Sequence, residues 1–151
     1  MVNNRKFFWV ICLLGISQFT IAAEEYLPDS YEADGDHYWS PRPYKKSPVK
    51  QVTIIENGMK SEAGTDEPDD CTKFKVTAKD IKEYFLKAKV VSRGAYMHEI
   101  NWSACYANGK IEFANGKSGK WGVQKLRSGY LLMDGKKYYF DCQKCRSKVF
   151  E

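Results

Sequence analysis

From residue 98 onward the chain is a series of short alternating runs, broken by Asn108-Gly109, Asn115-Gly116, Ser128-Gly129 and Asp134-Gly135. Alternation with a period of two places apolar side chains on one face of a strand. Asn-Gly and Asp-Gly supply the positive φ that tight hairpin turns require. The runs are Ile100, Trp102, Ala104 and Tyr106; Ile111 and Phe113; Trp121 and Val123; either Leu131 with Met133 or Tyr130 with Leu132; and Tyr138, Phe140 and Cys142. Strands joined by turns this short pair with their sequence neighbours in antiparallel fashion. The expectation is an antiparallel β-meander of about five strands.

Ahead of these runs, Thr77 and Asp80 have the spacing of a capping box. Ile81, Tyr84, Phe85 and Ala88 then recur at helical spacing through 78–90, with Lys79, Lys82, Glu83, Lys87 and Lys89 on the other side. This predicts one amphipathic helix whose apolar stripe faces a core, with Gly94 as its latest stop. A helix on one face of a meander is an α+β fold. A curled sheet close to a small barrel is the nearest variant. The compact domain is predicted to cover 71–151.

Residues 23–70 read differently. Acidic residues cluster at Glu24, Glu25, Asp29, Glu32, Asp34 and Asp36, among Pro28, Pro41, Pro43 and Pro48. Prolines remove donors and interrupt regular structure, so this segment is expected to be mostly extended or flexible. Its rings, Tyr26, Tyr31, Tyr38, Trp39 and Tyr44, are unusual for a linker and suit a segment laid along a partner or along its own domain. A short strand is predicted at 51–55, ending before Asn57-Gly58. Residues 24–70 carry 12 acidic and 5 basic side chains, whereas 71–151 carry 7 acidic and 17 basic. A charge run is most simply a solvated surface, but a domain this basic can also meet an acidic partner. Lys117, Lys120, Lys125, Arg127, Lys136 and Lys137, near the hairpin turns, are the candidate partner-binding residues.

The first residues have the plan of a cleavable secretory signal peptide. Arg5 and Lys6 precede a run from Phe7 to Ile16 in which every residue is apolar or Gly, and Thr20, Ile21, Ala22 and Ala23 follow. That run is short of the ~20 apolar residues a membrane span needs. Cleavage after Ala22 gives a signal of residues 1–22 and a periplasmic or secreted product, with no membrane insertion afterwards. Four cysteines then remain, Cys71, Cys105, Cys142 and Cys145. An even count in an exported chain predicts two disulfides. The leading expectation joins each cysteine of the Cys142–Cys145 pair to Cys71 or Cys105. A redox-active CxxC, a zinc site and a local Cys142–Cys145 bridge are the other readings.

The chain offers few groups for catalytic chemistry. His37 and His98 are the two histidines, and Trp102 stands where a zinc HExxH motif beginning at His98 would need its second His. A redox CxxC opens a helix in a βαβ setting, whereas Cys142 follows a predicted strand. No cofactor is expected. Lysines and rings alternate through 117–140, a pattern that suits a single-stranded nucleic-acid platform. In an exported chain the simpler expectation is rings inside and lysines outside, with no nucleic acid as partner.

In WSACYANGKIEFANGKSGKWGV and YYFDCQKC the chain resembles small exported proteins of Gram-negative bacteria, over roughly residues 71–151. More broadly it is similar to periplasmic immunity proteins and lysozyme inhibitors, through Ser128-Gly129-Tyr130 and Tyr139 to Cys142. The resemblance implies a small, disulfide-linked, mostly β binding protein. The functional expectation is thus a non-enzymatic periplasmic binding protein, an immunity protein that neutralises a toxin delivered to that compartment. The rivals are an inhibitor of a lysozyme-type hydrolase, an envelope redox or other enzyme using the CxxC, and a host-directed secreted protein.

Overall fold

The structure is a computed structural model and describes residues 47–64 and 69–150. The signal-peptide reading and the acidic, aromatic stretch up to residue 46 lie outside the described residues. The elements are β1 (Val49–Lys60), α1 (Ala78–Lys87), β2 (Lys89–Val91), α2 (Arg93–His98), β3 (Cys105–Phe113), β4 (Ser118–Gln124), β5 (Ser128–Met133) and β6 (Lys136–Asp141). Short 3-10 turns add Glu62–Gly64, Cys71–Lys73 and Lys148–Phe150. The strands form one six-stranded sheet in the order β1-β3-β4-β5-β6-β2, and every pairing is antiparallel. The fold is α+β, as expected, with six strands rather than five.

The meander itself is four strands, β3 to β6. Two of the predicted runs fuse into β3, because Asn108-Gly109 is mid-strand and not a turn. The reason is steric. A Cβ on Gly109 would lie 1.9 Å from the carbonyl oxygen of Thr53, so β1 can pair there only against a residue with no side chain. Asn108 meanwhile donates its side-chain amide to Glu56 on β1. Gly109→Ala should therefore push β1 off β3 and cost roughly 1–3 kcal/mol or more, the range for overpacking. Urea denaturation checks this, and an unchanged midpoint would refute the close approach.

β1 runs past its predicted end at Asn57-Gly58. Register shifts between Ile54 and Glu56 and between Asn57 and Met59 absorb the positive φ of Gly58 and carry the strand on to Lys60. The Asn57 side chain donates to the carbonyl of Val76 and accepts from its N–H, each at 2.9 Å, which ties β1 to the approach to α1. The compact unit therefore begins by Val49, ahead of the predicted boundary at Cys71. The turns at Asn115-Gly116 and Asp134-Gly135 form as predicted, with positive φ at Gly116, Asp134 and Gly135. The third predicted turn lies slightly earlier. Arg127 takes the positive φ, and Ser128 and Gly129 open β5.

α1 starts on the predicted capping box: the Thr77 side chain accepts from the Asp80 N–H, and Asp80 accepts from the Thr77 N–H at 2.8 Å. Burial works to raise the Asp80 carboxyl, but hydrogen bonds from Ser147, the Thr77 hydroxyl and the Thr77 N–H outweigh it and hold the group below its ordinary 3.8. A depressed carboxyl stabilises the fold above that value and loses its contribution as pH falls through the lower folded value. Asp80→Asn should accordingly flatten the acid limb of a stability–pH curve below about pH 4. An acid limb identical to the wild type's would exclude the linkage.

The helix ends at Lys87, earlier than the apolar pattern allows, because Ala88 turns to extended backbone and leads into β2. Ile81, Tyr84 and Phe85 are buried against the sheet with Ala107, Ile111, Trp121, Val123, Leu131 and Phe140. Phe150 returns from the C-terminal end to sit 5.8 Å from the Tyr84 ring and 6.0 Å from Phe74. The buried Tyr84 hydroxyl donates toward the carbonyls of Arg127 and Phe140, and burial raises its pKa well above the ordinary value. Trp121 is fully buried and donates its indole N–H to the Lys110 carbonyl at 3.0 Å. The Leu131 and Met133 parity is the inward one.

The disulfides pair Cys71 with Cys105 and Cys142 with Cys145. This overturns the expectation that each cysteine of the CxxC reaches Cys71 or Cys105. Cys105 begins β3 and Cys142 follows β6, three strands across the sheet. At about 4.8 Å per strand that is roughly 14 Å, beyond the ~7 Å limit for a bridge. Two disulfides fit an oxidising compartment. Among the described residues, no helix is long and apolar enough to cross a membrane.

Candidate functional site

A sheet with its main helix on one face leaves the other face to be accounted for. Register fixes what stands there. One cross-strand row is Lys110, Lys120, Leu132 and Lys137, on β3, β4, β5 and β6 in turn. The next row on the same face is Asn108, Gly122, Tyr130, Tyr139 and Val91. The row beyond holds Tyr106 and Gln124 as partners, and Ser128 with Asp141. The face thus carries a row of lysines beside a row of tyrosines.

α2 covers one end of this face. Ser92 caps it by accepting from the Ala95 N–H, and Ala95 packs with Val91 and Tyr139. The Tyr96 and Tyr139 rings lie 4.5 Å apart with a tilt of 33°. The Lys137 ammonium stands over two rings, 4.9 Å from the centroid of Tyr130 and 5.4 Å from that of Tyr139. Such contacts attract a cation to the negative ring face. They also hold Lys137 upright on the face.

Between α2 and β3 the face opens into a cleft of about 180 Å³, lined by Ser61, Tyr96, Ser103, Tyr106, Asn108, Gly122, Gln124 and Tyr130 among others. Gly122 makes room for one wall of it: the Tyr130 ring lies against Gly122, where a Cβ would meet that ring at 2.4 Å. Gln124 is oriented by its carbonyl oxygen, which accepts from the Ser128 hydroxyl at 2.6 Å and from the Ser103 N–H at 3.4 Å. Burial raises the Tyr96 hydroxyl to about 12, helped by the nearby Tyr130 and opposed by a hydrogen bond with Ser128. Burial and then the Glu56 carboxylate also raise Tyr106 and Tyr130. These three phenols therefore remain protonated donors at physiological pH. Two exposed apolar side chains stand beside the cleft in sequence or register: Met59, the partner of Tyr106, and Trp102, next to Ser103.

The six predicted partner-binding residues do not form one patch. Lys120 and Lys137 share the lysine row. Lys117 is ion-paired with Asp134 across neighbouring hairpin turns. Lys125 pairs with Asp69 at 3.1 Å. Arg127 donates to the Phe150 carbonyl at 3.3 Å. Lys136 sits at the tip of the β5–β6 hairpin, one step out of phase with the row. Lys110 and the tyrosines of the face lie outside the set of partner-binding residues expected from the sequence. The expectation of rings inside and lysines outside holds for Trp121 and for Tyr139, which is buried under α2, but not for the partly exposed Tyr130, whose ring shares the open face with Lys137. The signal was available in the parity of β5: once Leu131 and Met133 point inward, Tyr130 and Leu132 must point outward.

Cys142 and Cys145 are buried, at 0% and 2% exposure, so the CxxC bridge is shielded from attack by an external thiolate. Native protein treated with mild reductant should take up a maleimide label at these positions only after denaturation. Rapid labelling in the folded state would restore a redox role. No group of three or more His, Cys, Asp and Glu side chains placed to hold a metal occurs among the described residues.

No family model matches the chain, and neither a curated protein nor a solved structure matches it.

Proposed function

We propose that this protein is a non-enzymatic binding protein of the periplasm, and that it acts as an immunity protein by covering a protein toxin delivered there. The observation that carries the reading is the open sheet face. It presents Tyr106, Tyr130, lysines and the exposed Met59 on a disulfide-linked sheet, and the exposed Trp102 adjoins the cleft residue Ser103 in sequence. Tyr, Trp and Met are the side chains that protein interfaces favour, and a rigid strand surface offers them at low entropic cost. Lys110 and Lys120 face each other directly across β3 and β4. An acidic partner surface laid over the row would complement its positive charge.

The connectivity of the CxxC gives the redox rival one specific point in its favour, because Cys142 and Cys145 do bridge each other. Their burial counts against it.

The test is capture from envelope extract on immobilised mature protein, alongside the Lys120→Glu/Lys137→Glu variant. The expected result is one protein retained by the wild type and lost by the variant. That protein should be toxic when exported in cells lacking this chain. Retention that ignores the variant would remove the face from the reading, and a harmless captured protein would remove the immunity role.

A further inference from the structure

We infer that the cleft over Gly122 is a binding site for a neutral sugar ring. Its lining supplies the groups that such a ring needs. Tyr96, Tyr106 and Tyr130 offer ring surface, while Asn108, Gln124, Ser61 and Ser103 offer neutral polar groups. Among the described residues no charged side chain lines it, and the Glu56 carboxylate beside it is engaged by Asn108, which favours a neutral ligand. A buried charge without a partner is costly, whereas hydroxyl groups can be matched one by one.

The amides are already sorted into donor and acceptor. Both Gln124 hydrogen bonds use its carbonyl oxygen, so its N–H₂ is the half left to donate into the cleft. Asn108 donates its N–H₂ to Glu56, which leaves its carbonyl oxygen to accept. Asn108 and Gln124 flank Gly122 on the open face, one beside it in register and one two residues along β4. A sugar hydroxyl is both donor and acceptor, so neighbouring hydroxyls can satisfy the two amides together. The apolar C–H face of the ring would then rest against tyrosine, as aromatic side chains commonly offer an apolar body with a polar tip. The volume, about 180 Å³, far exceeds the ~10–15 Å³ that one ordered water needs.

This site shares Tyr106 and Tyr130 with the face of the protein-partner reading but makes no use of the lysine row, and the titration below contains no protein partner, so failure of one reading is distinguishable from failure of the other. The test is NMR titration of the full mature protein with chitotriose, cellotriose and maltotriose, together with a tripeptide Gly-Tyr-Gly as a control ligand. The expected result is saturable shifts of the Gly122 and Gln124 amide signals with at least one sugar, at a Kd of order 1 mM. Tyr106→Ala and Gln124→Leu should each weaken that binding about tenfold or more, and Leu86→Ala, on the far side of the exposed helix surface, should leave it unchanged. A variant that misfolds is recognised by the loss of dispersed amide signals, and Gln124→Ala then replaces it. No saturable shift with any sugar, or shifts with the tripeptide alone, would overturn the inference. Binding indifferent to both cleft substitutions would overturn it as well.

Discussion

A protein carrying Cys71→Ser and Cys105→Ser should melt roughly 15–25 °C below the wild type under oxidising conditions, and Cys142→Ser with Cys145→Ser should lose about half as much. The two bridges differ in what they constrain. Cys71–Cys105 spans a sequence separation of 34, whereas Cys142–Cys145 spans 3. Chain-entropy arguments give roughly 3–4 kcal/mol for the longer loop and roughly 2 kcal/mol for the shorter. In a domain of about this size each kcal/mol moves the midpoint by ~4–8 °C. Structure adds to the entropy. Cys71 lies in the 3-10 turn ahead of α1, and Cys105 begins β3, so the bridge fastens the helix approach to the sheet. Next to it, Ser61 N–H donates to the Ala104 carbonyl at 2.9 Å and Lys125 N–H to the Cys105 carbonyl at 3.0 Å. Ser61, Ser103 and Ala104 also line the cleft, so the same substitution should loosen the sugar site. Calorimetry on both double variants checks the order. Equal midpoints would mean that the longer bridge constrains a loop already ordered in the unfolded chain.

What could be read from the sequence, and what could not, divides along physical lines. The helix was legible because Thr77 and Asp80 stand at capping spacing ahead of a 3.6-residue apolar stripe, and both signals are local. The hairpins at Asn115-Gly116 and Asp134-Gly135 were legible for the same reason. Asn108-Gly109 misled because its glycine answers to a long-range cause, the approach of Thr53 from β1. β2 is three residues long and carries no period to detect. The disulfide pairing depended on the strand order of the sheet, which places β6 three positions from β3. The candidate face suffered most. Nearness in sequence groups the basic residues Lys117, Lys125, Arg127 and Lys136, whose described partners or positions lie off the row. Lys110 is distant from Lys137 in sequence and joins it only through cross-strand register.

That register sets the second large effect. Reversing Lys120 and Lys137 together to Glu should slow association with an acidic protein partner by roughly 10–100-fold at low salt, within the span over which steering charges act. Reversing Lys117 and Lys136 should change it by no more than about threefold, since exposed charges away from the contact act through screened solvent. Dissociation should change less than association in the first variant, because charges on an open face steer the encounter more than they hold the complex. Free-protein stability should move the other way. Lys120→Glu places a carboxylate opposite Lys110, an opposite-charge cross-strand pair on a scale of ~0.2–1 kcal/mol. Lys137→Glu removes the ammonium from the Tyr130 and Tyr139 rings and should offset part of that gain. A Lys120→Glu single variant that is more stable yet binds more slowly is thus the expected signature of a row kept for recognition rather than for folding. Stopped-flow association at two salt concentrations and urea denaturation of the same samples measure both. Equal slowing by the two double reversals would mean that recognition reads total charge rather than the row, and a less stable Lys120→Glu would mean that Lys120 holds the sheet together.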